Sequence, residues 1–289
     1  MPKQLLDADN LAAWVGRSET MTDQIDIGRV IAMAATLDLP IAPAVGDALP
    51  PLWHWLYFWS TISASDLGAD GHAQRGSFLP PVTLPRRMWA GGRLKFFAPL
   101  PVGTEVQRVS QIKAVEAKQG KLGPLVFVTV AHEISVRGTL VIQEEHDIVY
   151  RESLQTGDSM RKTELAPTDA HWSRQILPDP VQLFRYSALT FNGYRIHYDR
   201  TYATEVEAYP GLIVHGPLIA SLLTDLVSRE LPKQTISEFA FRAITPLFDT
   251  EPFSVHGRLA PDGRHVTLWA SNMRGELSMQ ADARLASLR

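Results

Sequence analysis

The sequence has no cysteine, which excludes disulfides, thiolate metal sites and a cysteine nucleophile. Any catalysis must use other side chains. No apolar run approaches the roughly 20 residues of a membrane-spanning helix. The net charge of −3 gives no basic footprint for nucleic acid, although it leaves room for a local basic groove facing a phosphate-bearing small molecule. Neither a membrane nor a nucleic-acid partner is expected. The opening MPKQLLDADNLAAW carries acids where a secretory leader needs a positive flank and an apolar stretch, so a cytoplasmic location is the expectation. GxGxxG, P-loop and GxSxG motifs are also missing, which removes sequence support for nucleotide-binding folds and serine hydrolases.

What is present is an ordinary globular composition, 45% apolar and 20% charged, over 289 residues, a length that favours two modules over one. IDIGRVIAMAATLDL (25–39) has helical periodicity, and RLKFF, TEVQRVSQIKAVEAK, PLVFVTVAHEISV and LVIQEEHDIVYR have strand character. The pattern dissolves between Leu154 and Gln182, a stretch rich in Ser, Thr, Asp and Pro, and an inter-domain linker is expected there. The expected division is 1–153, a linker at 154–182, and 183–289. Beyond it come the short apolar piece LFRYSALTF, a helix from Pro217 to about Glu230, and four strand-like runs: ISEFAFRAI, EPFSVHGRLA, RHVTLWASN and ELSMQADARLA. In the last run Leu277, Met279, Ala281, Ala283 and Leu285 alternate with Ser278, Gln280, Asp282 and Arg284, which predicts one buried and one solvated face.

The helix PLIASLLTDLVSRE carries a broad apolar stripe, as expected if a curved antiparallel sheet wraps it in an α+β arrangement. Both halves show the same order of elements, and letters repeat as well. RLKFFAPLPVGTEV echoes EFAFRAITPLFDTEPF, and AATLD (34–38) echoes ALTFN (188–192). A duplicated fold is the reading. The copies differ in their polar groups, because His197 stands five residues after Asn192 whereas Pro43 stands five after Asp38. His215-Gly216-Pro217 likewise has His54-Trp55-Leu56 opposite it. Chemistry is therefore expected in the second half.

His197 suits a general base, since an imidazole with a reference pKa of about 6.5 is available as a neutral acceptor. The plain alternative is a histidine satisfied by a backbone carbonyl. Asn192 could hold a water or a carbonyl against it, or serve only as a turn-forming amide. Gly216 precedes Pro217 at a helix entrance, where a bare N–H at the positive end of the dipole suits a thioester oxygen that becomes enolate-like; an ordinary helix start is the alternative. His215 reads as a brace of the turn. A metal site built from His197, Asp199 and His215 has a ligand set that zinc accepts, but the spacing matches none of the helical histidine motifs and no further ligand is evident, so no metal is expected.

FRYSALTFNGYRIHYD followed by GLIVHGPL resembles the MaoC-like (R)-specific enoyl-CoA hydratases. More closely it resembles the type 2 hydroxyacyl-thioester dehydratases and the mesaconyl-C4-CoA hydratases. The likeness extends to RRMWAGGRLKFFAPLPVGTEV, GPLVFVTVAHEI and EEHDIVYR in the first half. The resemblance implies a double hotdog, each sheet wrapping a central helix, with a degenerate first copy and a thioester bound between the halves. By the same resemblance His197 matches the hydratase histidine and Gly216 the oxyanion glycine. Asn192 stands where the bacterial (R)-hydratases have an aspartate, so their two-residue proton scheme does not transfer unchanged. The type 2 dehydratases are similar to this chain in having asparagine there. Tyr194 and Asp199 are supporting candidates.

The implied activity is reversible addition of water to a short branched dicarboxylic enoyl-CoA, such as mesaconyl-C4-CoA or itaconyl-CoA going to citramalyl-CoA, with no cofactor. A 3-hydroxyacyl-thioester dehydratase of fatty-acid synthesis, a non-catalytic acyl-CoA binder and a hotdog thioesterase are the alternatives. Arg86, Arg87, Arg93, Lys95 and Arg185 are candidates to meet CoA phosphates. Arg242, on an otherwise apolar strand, is expected to be buried, against a structural carboxylate or the free acid of the acyl group. The expected partner is the acyl-CoA substrate, and a homodimer is compatible with the reading.

Overall fold

The computed structural model describes residues 11–120, 123–152 and 164–286. Ten antiparallel strands form one continuous sheet: β1 (Ser18–Gln24), β2 (Arg86–Phe96), β3 (Glu105–Gly120), β4 (Gly123–Val136), β5 (Thr139–Arg151), β6 (Trp172–Ile176), β7 (Ile236–Ala243), β8 (Phe253–Leu259), β9 (His265–Asn272) and β10 (Leu277–Leu285). Their spatial order is β1-β3-β4-β5-β2-β7-β10-β9-β8-β6. Read outward from the centre, each half has the same five-strand arrangement, so β1 answers β6, β2 answers β7, and β3 to β5 answer β8 to β10. This is an α+β double hotdog, with the two copies joined edge to edge.

The join is Gly91↔Arg242 through Lys95↔Glu238. A Cβ at Gly91 would lie 2.5 Å from the Phe241 carbonyl oxygen, and one at Gly92 would lie 3.0 Å from Cε1 of the Phe241 ring. Only glycine lets the two backbones approach here. Closing the join removes a hydrogen-bonding edge from each copy.

Three α-helices accompany the sheet: α1 (Ile27–Thr36), α2 (Pro180–Leu189) and α3 (Gly216–Glu230). Asp26 caps α1 by accepting from the Arg29 N–H, and Asp179 caps α2 by accepting from Val181 and Gln182. The two helices are counterparts, equal in length and placed alike after β1 and β6. At their ends the Leu39 N–H bonds the Ala34 carbonyl and the Asn192 N–H bonds the Ser187 carbonyl. This corrects the sequence match by one position. Leu39, rather than Asp38, answers Asn192, and by count Ala44 answers His197.

The helix α3 is the central one, burying Leu218, Ile219, Leu222, Leu223, Leu226 and Val227 against the second-half sheet. The first half has no such helix among the described residues. Between α1 and β2 it forms only short 3₁₀ turns, at Trp53–Leu56 and Ala64–Asp66. The expectation of a central helix in each copy therefore holds for the second copy alone.

Three local readings also change. The described part of the expected linker contains β6, which pairs with β8, and α2 starts at Pro180; the part through residue 163 lies outside the described residues. The polar edge strand β1 shows no apolar alternation and was not anticipated. Ser278 is buried rather than solvated, because the 244–245 segment folds over it and both of those N–H groups donate to its carbonyl.

Candidate active site

The turn after α2 is built by local hydrogen bonds. Phe191 takes a left-handed conformation (φ 51°), and the Asn192 side-chain oxygen accepts the Tyr194 N–H at 3.0 Å. A single 3₁₀ turn, Arg195–His197, then delivers the imidazole. His197 Nδ1 lies 2.8 Å from the Ile213 carbonyl oxygen. A carbonyl only accepts, so Nδ1 carries the hydrogen and Nε2 keeps its lone pair. Nε2 has no protein partner among the described residues and is not sealed from the cleft that His197 lines. Burial lowers the His197 pKa from its ordinary 6.5 to about 4, against the opposing bond to Ile213. The group is thus a neutral base of fixed tautomer at pH 7.

His215 stacks on it, with ring centroids 3.7 Å apart and planes at 17°. Its Nε2 meets the Ser187 hydroxyl at 2.8 Å, while its Nδ1 is buried without a partner. Burial, then the neighbouring His197, push its pKa well below the usual value. A neutral ring clamped in this way fixes the plane of His197. The next residue opens α3. The Gly216 N–H belongs to the first turn and makes no intrahelical bond. A Cβ placed on Gly216 would find only Met279 Cε, at 4.0 Å, so protein packing does not demand a glycine there. The space in front of it belongs to the cleft.

That cleft has a volume of about 1310 Å³ and lies where the two copies meet. Asn192, Tyr194, His197, Gly216 and Arg242 all line it. Tyr194 packs edge-on to His197, centroids 5.7 Å apart, and burial raises its pKa. The remaining candidates fall elsewhere or differ from expectation. Asp199 is bonded to Arg195 at 2.7 Å and accepts the Tyr202 N–H, so it ties down the turn instead of facing the imidazole. With Asp199 so committed, the three candidate metal ligands do not converge, and no metal-holding group occurs among the described residues. Arg185 is exposed on α2, away from the buried Leu183, Tyr186 and Ser187, and does not line the cleft. Arg242 is exposed rather than buried, because strand alternation turns Phe239 and Phe241 inward and the guanidinium to the cleft mouth. No acidic partner reaches it among the described residues. Arg93 is held by Glu145 and Asp147, and Lys95 lies on the exposed side of β2. Arg86 lines the cleft while paired to Glu207 at 3.1 Å, and Arg87 lines it as well.

One element of the candidate site is illegible in the sequence. The first-half loop from Leu67 to Gly76 clasps the histidine turn. The Asp70 carbonyl accepts the Arg195 N–H at 2.9 Å, and a Cβ on Gly71 would collide with the Gly193 carbonyl oxygen at 1.9 Å. His72 rests on the Tyr194 ring, centroids 4.1 Å apart, with Nδ1 3.0 Å from Asp70 Oδ2. Burial would raise the Asp70 pKa, but the hydrogen bonds from His72 prevail and hold it at about 2. Burial pushes His72 below its ordinary value, with Asp70 opposing. A local Asp-x-His spacing was the only available signal, and it said nothing about a partner more than 120 residues away.

Residues 52–249 match the model of the family described as hydroxyacyl-thioester dehydratase type 2. The mesaconyl-C(4)-CoA hydratase of Chloroflexus aurantiacus is 46% identical over 274 residues, which covers 94% of this chain and 97% of that one. The mitochondrial hydroxyacyl-thioester dehydratase type 2 of Schizosaccharomyces pombe is 29% identical over 256 residues, 77% of this chain and 84% of that one. Among solved structures, HtdX of Mycobacterium tuberculosis superposes with a TM-score of 0.65 at 17% identity, covering 92% of this chain and 99% of that one. A second protein of that organism, described as a double hotdog, does so at 0.57 and 14%, covering 94% and 96%. At those identities the structures speak for the fold alone.

Proposed function

The chain belongs to the hydroxyacyl-thioester dehydratase type 2 family and is a hydro-lyase; on that premise we propose that it adds water reversibly to mesaconyl-C4-CoA or a closely similar short dicarboxylic enoyl-CoA, giving citramalyl-CoA. The observation that carries the chemistry is the pairing, in one cleft, of an imidazole whose free nitrogen is Nε2 with an unencumbered helix N-terminus. The choice of acyl group leans on the 46% identity to the Chloroflexus hydratase.

In this reading the Asn192 Nδ2 donates to the water oxygen, since its Oδ1 is committed to Tyr194. His197 Nε2 takes a proton from that water as its oxygen bonds to the β-carbon. The π electrons move onto the thioester oxygen, which the Gly216 N–H stabilises at the positive end of α3. The enolate then re-forms the carbonyl while its α-carbon takes the proton back from Nε2. One imidazole handles both transfers, and no carboxyl is needed at position 192. His215 presents a neutral face to the transient imidazolium. Arg75, Arg87 and Arg151 line the same cleft beside Tyr150 and are the side chains offered to the CoA phosphates.

The test is loss of the conjugated-thioester absorbance with mesaconyl-C4-CoA and a series of monocarboxylic enoyl-CoAs, together with chromatographic detection of citramalyl-CoA from itaconyl-CoA, whose double bond is not conjugated to the thioester. Highest kcat/KM on mesaconyl-C4-CoA is expected. A preference rising with monocarboxylic chain length would assign the chain to fatty-acyl dehydration, and binding without turnover across the panel would overturn the enzyme reading.

A further inference from the structure

Beside the cleft, between the first-half strands β2 to β5 and the Trp53–Leu56 turn, lies a chamber of about 270 Å³. Ser60, Trp89, His146, Phe191, Asn192 and Pro217 line both spaces, so the chamber adjoins the cleft next to the proposed water-holding amide. Its volume is near the lower end of the roughly 300–1,000 Å³ typical of ligand pockets. It suits a compact polar group and cannot house a long acyl tail.

The chamber wall carries a buried polar network among its aromatic side chains. Glu144, almost fully buried, accepts from His54 Nε2 at 2.9 Å, from Trp55 Nε1 at 2.7 Å and from His146 Nε2. These N–H groups occupy both carboxylate oxygens and offset the charge where it sits. His54 and His146, with burial opposing, hold the Glu144 pKa well below the ordinary value. His132, bonded to Ser110, packs against His146.

Arg108 also lines the chamber, and its guanidinium is poorly matched by the protein. Its Nε is buried without a hydrogen-bond partner. One Nη donates to the Met21 sulfur, a weak acceptor, and comes only within 4.0 Å of Glu19. The rest of the group lies over the Phe58 ring at 4.9 Å. Burial lowers the Arg108 pKa, with Glu19, Glu144 and Asp23 opposing. A largely buried guanidinium with donors to spare is costly unless something else satisfies it.

We propose that this chamber is the subsite for the free carboxylate of the acyl group, with Arg108 as its countercharge. The inference deepens the proposed function and rests on it. It also transfers to Arg108 the part that the sequence offered to Arg242, which lies exposed at the cleft mouth. Geometrically the assignment is coherent, because in mesaconyl-C4-CoA the free carboxyl is attached to the β-carbon, the atom that receives the water. The carboxyl must therefore sit beside Asn192, and that residue lines the chamber as well as the cleft.

The test compares the ratio of kcat/KM for mesaconyl-C4-CoA to that for crotonyl-CoA in the wild-type enzyme and in Arg108→Gln. The ratio is expected to fall by about 30-fold or more, the low end for removing one partner of a desolvated charge pair. An unchanged ratio overturns the proposal, including the case in which both activities fall together because Arg108 is merely structural. A second measurement does not depend on turnover. Succinyl-CoA should inhibit the wild-type enzyme at least tenfold more tightly than butyryl-CoA, and Arg108→Lys should retain part of that difference; equal inhibition by the two overturns the proposal. If the wild-type enzyme ignores mesaconyl-C4-CoA yet still prefers succinyl-CoA to butyryl-CoA, the functional reading falls while the subsite stands.

Discussion

The two copies of the hotdog share a strand order and have opposite interiors. The second wraps α3 tightly in aliphatic side chains and places the turn that carries His197 at the helix entrance. The first replaces the corresponding helix with a 3₁₀ turn bearing two tryptophans and a buried glutamate–histidine network. Duplication separates two demands that conflict in one copy. A hotdog is held together by its central helix, yet a substrate needs the volume that the helix fills. Here one copy supplies the rigid helix terminus, and the other gives up its helix to make room.

The most direct way to break the contrast is to remove the imidazole that only the second copy has. His197→Ala is expected to lower kcat by about 10²- to 10⁴-fold, the usual range for a general acid–base group, with KM little changed. Loss of less than tenfold would refute the assignment. Next in size is the helix entrance. Gly216→Ala puts a carbon where the thioester oxygen is expected, and a fall in turnover of about 10²- to 10³-fold follows from displacing one oxyanion contact. Because the added Cβ meets only Met279 Cε, at 4.0 Å, the melting temperature should hold, and a large drop would mean the glycine is there for folding.

The seam offers the converse experiment, in which stability changes first. Gly91→Val forces a side chain onto the Phe241 carbonyl and should cost about 2–3 kcal/mol in urea unfolding, the scale of overpacking. If the protein tolerates it, the copies are not joined as described. The smallest effect is on the pH dependence. Because burial sets the His197 pKa at about 4, the acid limb of kcat/KM should fall near pH 4, and activity at pH 5.5 should remain close to that at pH 7. The unfolded chain takes up this proton near pH 6.5 and the folded chain only near 4. Stability from the neutral ring is therefore complete above about pH 6.5 and declines as the pH falls between those values. An acid limb at 6.5 would place His197 in contact with solvent.

Much of this was legible in the sequence because the signals were local. The strands from RLKFF onward, the long helix and the Asn192-to-His197 turn all declare themselves by period or by turn chemistry. Legibility failed where the cause was distant. The apolar neighbours of Arg242 suggest burial in the sequence but point to the other face of β7. Glu144 sits in a run that reads as an ordinary strand, and what makes it a hub is contributed by His54 and Trp55, some 90 residues earlier. The polar edge strand β1 has no apolar face to betray it. The internal repeat is visible in the letters, but AATLD against ALTFN is one residue out of step with the hydrogen bonds that close the two capped helices.

The contact of Gly71 with Gly193 has a consequence for how such a chain can change over generations. A recombination event that exchanged the C-terminal half for that of a distant relative would import the histidine but not the foreign backbone it leans on. The two repeats, though once equivalent, are now inherited as a single unit.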